Sequence, residues 1–398
     1  MRKIYEYSFK EIICKSSNKI QKLLWAFYVF LLRQIVPINS RRLFFISWGG
    51  MSFSCSPKAI VMYLLQQHQK EFSMVVVVDH PEDYENYKDI VFVKTNSFQH
   101  AYYLISSFVI IANTRQNIWY KRDKQKYVQT WHGTGPKKSE RDSIAILNDK
   151  YVKRAKIDCE KCDLVLSGST FLTNWYYNST WYKGPVLECG TPRDDLFFTK
   201  NDVIKEIFCR SHNVSIEQRF VLYAPTFRNH SDFSLYKLDF SLLLETFKKC
   251  CGGNWTFLIR MHPNLSETDS LSILGMDISN HIINVTKYPD MQDLLYISDI
   301  LITDFSSTST EFAISKKPCF LYAPDINEYD RGLYYDIDQM PFPFSDTQEK
   351  LIENVELFNE IEYRNKLKEY NLFLGIKEKG NACEQVYEYL KKIDTCPA

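Results

Sequence analysis

Short, unbroken apolar runs recur along the whole chain. In the first half they are 43–48 (LFFISW), 74–79 (MVVVVD), 90–93 (IVFV), 107–112 (SFVIIA), 127–131 (YVQTW), 163–167 (DLVLS) and 185–189 (PVLEC). In the second half they are 219–225 (RFVLYAP), 255–261 (WTFLIRM), 281–285 (HIINV), 299–303 (DILIT) and 318–323 (PCFLYA). Runs that do not alternate with polar residues suit parallel strands covered on both faces. Helical stretches lie between them, which predicts doubly wound α/β units. The alternation pauses at 198–218, a polar linker and a helix, and restarts at Arg219. A chain of 398 residues exceeds one typical core. The pattern therefore predicts two Rossmann-like domains facing a cleft, 41–205 and 206–398, with the last helix free to pack back on the first domain. Ligands of open parallel sheets sit at the carboxyl ends of the strands.

Residues 1–40 form a separate arm. Up to residue 42 the chain holds nine Lys/Arg against Glu6 and Glu11, a formal charge of 9 − 2 = +7. The apolar stretch Leu23 to Leu32 has ten residues, about half of what a bilayer span needs. A basic helix bearing Trp25, Phe27, Tyr28 and Phe30 suits an amphipathic anchor on an anionic membrane face, and equally a helix packed on the protein's own core. The whole-chain charge of +1 gives no sign of a nucleic-acid binder. Eleven cysteines are scattered without a framework, with a single Cys-x-x-Cys at Cys159 and Cys162. No metal site is expected. Asp336-Ile337-Asp338 is the one Asp-x-Asp, and it follows no clear apolar strand.

Four motifs fall at predicted strand ends. In "KYVQTWHGTGPKKSERD", 126–142, the strand runs into His132, beside Gly133 and ahead of Thr134 and Gly135. A histidine takes a proton near neutral pH, as a hydroxyl nucleophile requires. The glycines let a substrate approach the backbone, and Lys137, Lys138 and Arg141 are suited to phosphate. In "LYAPTFR", 222–228, Arg228 follows the strand as a phosphate fork or an exposed turn residue. In "LIRMHPN", 258–264, Arg260 and His262 share one face of a strand that Pro263 ends. The richest motif is "SDILITDFSSTSTEFA", 298–313. A strand leads into Asp304, then Ser306, Ser307, Thr308, Ser309 and Thr310, with Glu311 inside the following helix. A helix N-terminus offers free N–H groups and positive dipole to an anion. An ordinary N-cap needs one or two hydroxyls, and here there are five.

These stretches, with "KKPCFLYAPD" and "DRGLYYD", stand in the order found in the CDP-glycerol glycerophosphotransferase family, the teichoic-acid and capsule primases and polymerases, and the chain resembles that family over roughly residues 40–375. The resemblance implies a GT-B architecture, peripheral attachment at the cytoplasmic face of the bacterial cell membrane, and transfer of a polyol phosphate from CDP-glycerol or CDP-ribitol. The acceptor would be a lipid-linked or polymeric glycan, and CMP would leave. It implies that His132 is the base and His262 a second essential histidine. Donor binding would fall to Arg228, Arg260, Asp304, Ser306, Ser307, Thr308, Ser309 and Glu311, and acceptor binding to Gly133, Thr134, Lys137 and Lys138. Gly135 separates Thr134 from Pro136, whereas the family usually has Trp-His-Gly-Thr-Pro. A GT-B glycosyltransferase using a nucleotide sugar and a non-catalytic assembly subunit are the alternatives.

Overall fold

The computed structural model describes residues 23–116, 118–133, 135–226, 235, 237–261, 281–326 and 332–394. Every expected apolar run carries a strand. The first sheet holds β1 (Asn39–Ile46), β2 (Ser73–Val78), β3 (Ile90–Lys94), β4 (Ser107–Ala112), β5 (Lys126–Gln129), β6 (Leu164–Leu166) and β7 (Val186–Leu187). Its order is β3-β2-β1-β4-β5-β6-β7, and each pairing is parallel. The second sheet holds β8 (Arg219–Ala224), β9 (Trp255–Ile259), β10 (Ile282–Asn284), β11 (Ile300–Thr303), β12 (Cys319–Tyr322) and β13 (Phe344–Ser345). Its order is β10-β9-β8-β11-β12-β13, again parallel. The sequence pattern missed β13, a two-residue edge strand directly after Pro343, where proline reads as a breaker.

The helices of the first domain are α1 (23–35), α2 (Cys55–Gln67), α3 (Phe98–Ser106), α4 (Asp149–Lys161) and α5 (Thr170–Ser179). Then follow α6 (Asp202–Ser211), α7 (Phe240–Cys251), α8 (Met291–Ile297), α9 (Ser307–Ile314), α10 (Gln348–Glu356), α11 (Glu360–Leu374) and α12 (Ala382–Asp394). Period-two alternation sends Phe44 and Ile46 to one side of the first sheet and Leu43 and Phe45 to the other. The first side is covered by α1, α3, α4 and α5, and the second by α2 and α12. The second sheet divides likewise. Phe220 and Leu222 meet α6, α8, α9 and α11, while Val221 and Tyr223 meet α7 and α10. A buried side chain of this size contributes roughly 1.5–3 kcal/mol relative to exposure, which explains why uninterrupted apolar runs were retained on both faces.

Helix α12 thus returns to the first domain from the end of the chain. The Asp195 carboxylate accepts from Ala382 N at 2.9 Å and Cys383 N at 2.8 Å, capping its start. Just before it, half-buried Glu378 accepts from the backbone N of Thr191 at 2.9 Å and from its hydroxyl at 2.8 Å. Burial pushes the Glu378 carboxyl up to about 7.

Helix α1 has two apolar faces. Val29 and Leu32 are buried, Trp25, Tyr28 and Val36 pack against the same core, and Trp25 Nε1 donates to Ser97 O at 3.1 Å. Leu23, Leu24, Phe27, Phe30, Leu31 and Ile35 are 45–76% exposed. Packing on the core therefore uses one stripe and leaves the other bare. Among the described residues, no helix is long and apolar enough to cross a membrane.

Candidate active site

The first half of the site begins where β5 stops. The pattern predicted a strand to Trp131, but it ends at Gln129 because Trp131 takes the left-handed conformation, φ 54°. Arg115 holds that bend from behind. It is buried between Glu140, at 2.7 Å, and Asp158, at 2.9 Å, with its guanidinium 5.3 Å from the Trp131 ring centre. Trp131 stacks on His132 at 4.6 Å and 27°. His132 Nδ1 lies 2.7 Å from the carbonyl oxygen of Asn113. A carbonyl only accepts, so Nδ1 carries the hydrogen and Nε2 keeps its lone pair. Burial, opposed by that hydrogen bond and assisted by the charges of Arg193 and Arg115, lowers the His132 pKa to about 4. The imidazole is therefore neutral at neutral pH and ready to accept a proton.

The second half is the start of α9, at the end of β11. The hydroxyl run divides by role. Ser306 is the N-cap and accepts from Thr308 N at 3.3 Å. Ser309 is buried and donates back to Ser306 O at 2.8 Å, and Thr310 bonds the Tyr370 hydroxyl at 3.2 Å. Ser306, Ser307 and Thr308 are half-buried at the helix start. Asp304 accepts from the backbone N of Thr226 at 3.0 Å and from its hydroxyl at 2.7 Å, tying β11 to the end of β8. These two strands are neighbours where the strand order of the second sheet reverses, the place where such sheets bind ligands.

Two glycines join the halves. Gly133, at φ 93°, faces the second domain. A Cβ there would lie 2.5 Å from Glu311 Oε1, 2.9 Å from Arg193 Nη2 and 3.1 Å from Ser307 Oγ. A Cβ at Gly135 would lie 2.6 Å from the backbone N of Ser307. The extra glycine after Thr134 thus allows the histidine loop to rest directly on the α9 N-terminus. Beyond it, Lys137 pairs with Leu333 in an antiparallel bridge, Lys138 N donates to Gly332 O at 3.1 Å, and Tyr334 N donates to Pro136 O at 2.7 Å. The Lys138 side chain is exposed, while Arg141 donates to Thr180 O at 3.2 Å.

Beneath this junction lies a buried ion pair absent from the sequence reading. Arg193 meets Glu311 at 2.5 Å and 3.1 Å, and its Nη1 lies 2.9 Å from Cys55 Sγ. Glu311 is therefore engaged by the first domain. Neighbouring Asp194 accepts from Gln292 at 2.6 Å, and burial followed by the nearby Glu311 charge holds its carboxyl well above the usual range. A second ion pair, Lys58 to Asp290 at 2.8 Å, joins α2 to the start of α8. The signal for the first was "TPRDD", a charged triplet behind a proline at the end of β7.

Arg260 sits at the end of β9, two strands from β11, or about 10 Å. Its Nη1 donates to the carbonyls of Val285, at 3.2 Å, and Tyr288, at 2.7 Å. Thr134, Arg228 and His262 lie outside the described residues. Asp336 caps the 3-10 turn Ile337–Gln339. Cys159 accepts from Arg115 at 3.1 Å, while Cys162 donates to Leu164 O at 3.2 Å.

The family model for CDP-glycerol:poly(glycerophosphate) glycerophosphotransferase matches residues 28–392. The teichoic acid poly(glycerol phosphate) polymerase of Bacillus spizizenii is 29% identical over 94% of this chain and 98% of its own. The teichoic acid glycerol-phosphate transferase of Staphylococcus aureus is 27% identical, over 86% and 90%. The Bacillus subtilis polymerase is also 27% identical, but the match spans only 46% of its length. The structure of the wall teichoic acid polymerase TagF superimposes with a TM-score of 0.81 at 23% identity, covering 98% of this chain and 99% of that one.

Proposed function

Because the chain belongs to the CDP-glycerol:poly(glycerophosphate) glycerophosphotransferase family, we propose that it transfers glycerol phosphate, or another polyol phosphate, from a CDP-polyol to a hydroxyl of a lipid-linked or polymeric glycan, releasing CMP. The observation that carries this reading is the meeting of His132 with the α9 N-terminus through Gly133 and Gly135. One side supplies a neutral base, and the other a helix start suited to phosphate. The acceptor oxygen attacks the β-phosphorus of the donor while His132 Nε2 takes its proton. The bond from phosphorus to the bridging oxygen breaks, and CMP leaves with the electron pair. The half-buried Ser307 and Thr308 and the positive end of the α9 dipole bear the charge on the phosphates, where most catalysis of phosphoryl transfer lies. Arg260 lies in the same row of strand ends, for the far phosphate.

The purified chain, given CDP-glycerol, CDP-ribitol, UDP-glucose or UDP-N-acetylglucosamine with a lipid-linked disaccharide, should release CMP from a CDP-polyol and move labelled polyol phosphate onto the acceptor. Transfer of sugar from a UDP donor alone would overturn the reading. Tight CDP-polyol binding without any CMP would leave a binding subunit.

A lipid-linked acceptor places the reaction at a membrane, and the bare stripe of α1 supplies the contact. Six large apolar side chains face solvent there, following a segment rich in Lys and Arg that lies outside the described residues. Apolar insertion and charge act together on anionic lipid, with about 1 kcal/mol from each basic residue near the surface. Changing Leu24, Phe27 and Phe30 to serine should release the chain from anionic vesicles in cosedimentation, with the fold intact because these side chains lie outside the buried core. Unchanged binding would assign the contact elsewhere.

A further inference from the structure

Strand order in the first sheet reverses between β1 and β4, which are paired neighbours. That crevice is where an open parallel sheet takes its ligand. Trp48 stands just past the end of β1 and Asn113 just past the end of β4. Trp48, Gly49 and Gly50 have φ of 51°, 70° and 102°. Glycine tolerates this conformation, whereas a tryptophan rarely adopts it. Such outliers cluster where a side chain must point at a ligand. One buried residue fixes the arrangement. Asn113 Oδ1 accepts from Trp48 N at 2.8 Å, and the carbonyl of the same residue accepts from His132 Nδ1 at 2.7 Å.

His132 is therefore flanked by two indoles, Trp131 at 4.6 Å and Trp48 at 5.0 Å. They differ in exposure. Trp131 is buried at 9%, whereas Trp48 is half-buried beside exposed Gly49 and Met51. A ring that only shielded the histidine would have no reason to stay accessible. Residues 47–54, SWGGMSFS, also carry no charge. Lys137 and Lys138 lie on the other flank of the histidine loop, toward 332–334. An uncharged aromatic wall beside the base suits the apolar face of a sugar ring and offers no counter-charge to a phosphate.

We propose that Trp48 is the specificity-determining wall of the acceptor pocket. Its indole face takes the apolar face of a pyranose whose hydroxyl then reaches His132 Nε2. This assignment rests on the transfer reaction above.

The test uses the full chain, with a pyranoside acceptor and a glycerol-phosphate-terminated acceptor on the same aglycone. Trp48→Ala should raise KM for the pyranoside roughly 10-fold, the equivalent of about 1.4 kcal/mol of stacking. Trp48→Phe should retain most of the affinity. The KM for the glycerol-phosphate acceptor and the CDP-glycerol Kd should stay in place, and melting curves report whether each variant is folded. An unchanged pyranoside KM would overturn the proposal, as would an equal rise for both acceptors. So would a shifted pH profile at constant KM, which would make Trp48 only a shield for His132. Calorimetric titration of the pyranoside without donor keeps this test separate from the reaction. Weaker binding to Trp48→Ala than to wild type supports the wall even if no acceptor is turned over, and equal binding rejects it.

Discussion

Replacing His132 with alanine should lower kcat by roughly 10²–10⁴-fold, the usual contribution of a positioned general base, and leave the CDP-glycerol Kd close to wild type. The geometry separates the two quantities. His132 belongs to the first domain, held by Asn113 through Nδ1 and by the Trp131 stack. The proposed donor half lies at α9, on the second. Removing the imidazole deletes the proton acceptor and leaves the helix start, its hydroxyls and Arg260 in place. Single-turnover rates with saturating donor, alongside calorimetric donor titration, check both predictions. A variant that keeps full kcat would make His132 a structural residue. One that loses donor affinity as steeply as rate would move it into the donor site.

Arg193→Met should destabilise the protein by about 3–5 kcal/mol, because removing one partner leaves a buried charge uncompensated. Arg193 and Glu311 are both nearly inaccessible, at 5% and 8% exposure. Solvent cannot replace the missing guanidinium, and Asp194 lies 3.8 Å from it as a second carboxylate. Activity should fall as well, since Gly133 rests against this pair. The Arg193→Met, Glu311→Leu double variant removes both charges and should recover much of the stability, as apolar replacements of buried pairs often do. Denaturant midpoints of the single and double variants give the comparison. A single variant as stable as wild type would show that the pair contributes nothing to holding the domains together.

The sequence disclosed the fold more fully than the site. Each apolar run from LFFISW to PCFLYA became a parallel strand because both faces of both sheets are covered, so hydrophobicity alone marked them. β13 escaped because a two-residue edge strand after proline leaves no such trace. Within the site, His132 and the Ser306 to Thr310 run stood out through residue type and position at strand ends. The division of labour among the hydroxyls did not, since it depends on which of them turn back to the helix or meet Tyr370. Arg193 and Glu311 are 118 positions apart, so the TPRDD cluster gives no sign of the partner it meets. Trp48 appears in sequence as one more aromatic at a strand end. Only its φ and its shared tether to Asn113 set it apart. For α1 the core-helix reading holds for one stripe, which carries Val29 and Leu32, while the opposite stripe stays exposed and leaves the anchor reading to the vesicle experiment.

By the proposed mechanism a neutral histidine on one domain deprotonates an acceptor hydroxyl set against a phosphate site on the other. The dependence of single-turnover kcat on pH tests it most directly, in wild type with CDP-glycerol and a pyranoside acceptor. A lowered pKa leaves the base form complete above the usual histidine range and removes it only as pH falls toward about 4. The rate should therefore be level from about pH 6 to 8 and decline only well below pH 6. A rate that climbs steadily through pH 6 to 8, with an apparent pKa at or above the ordinary histidine value of about 6.5, would contradict it.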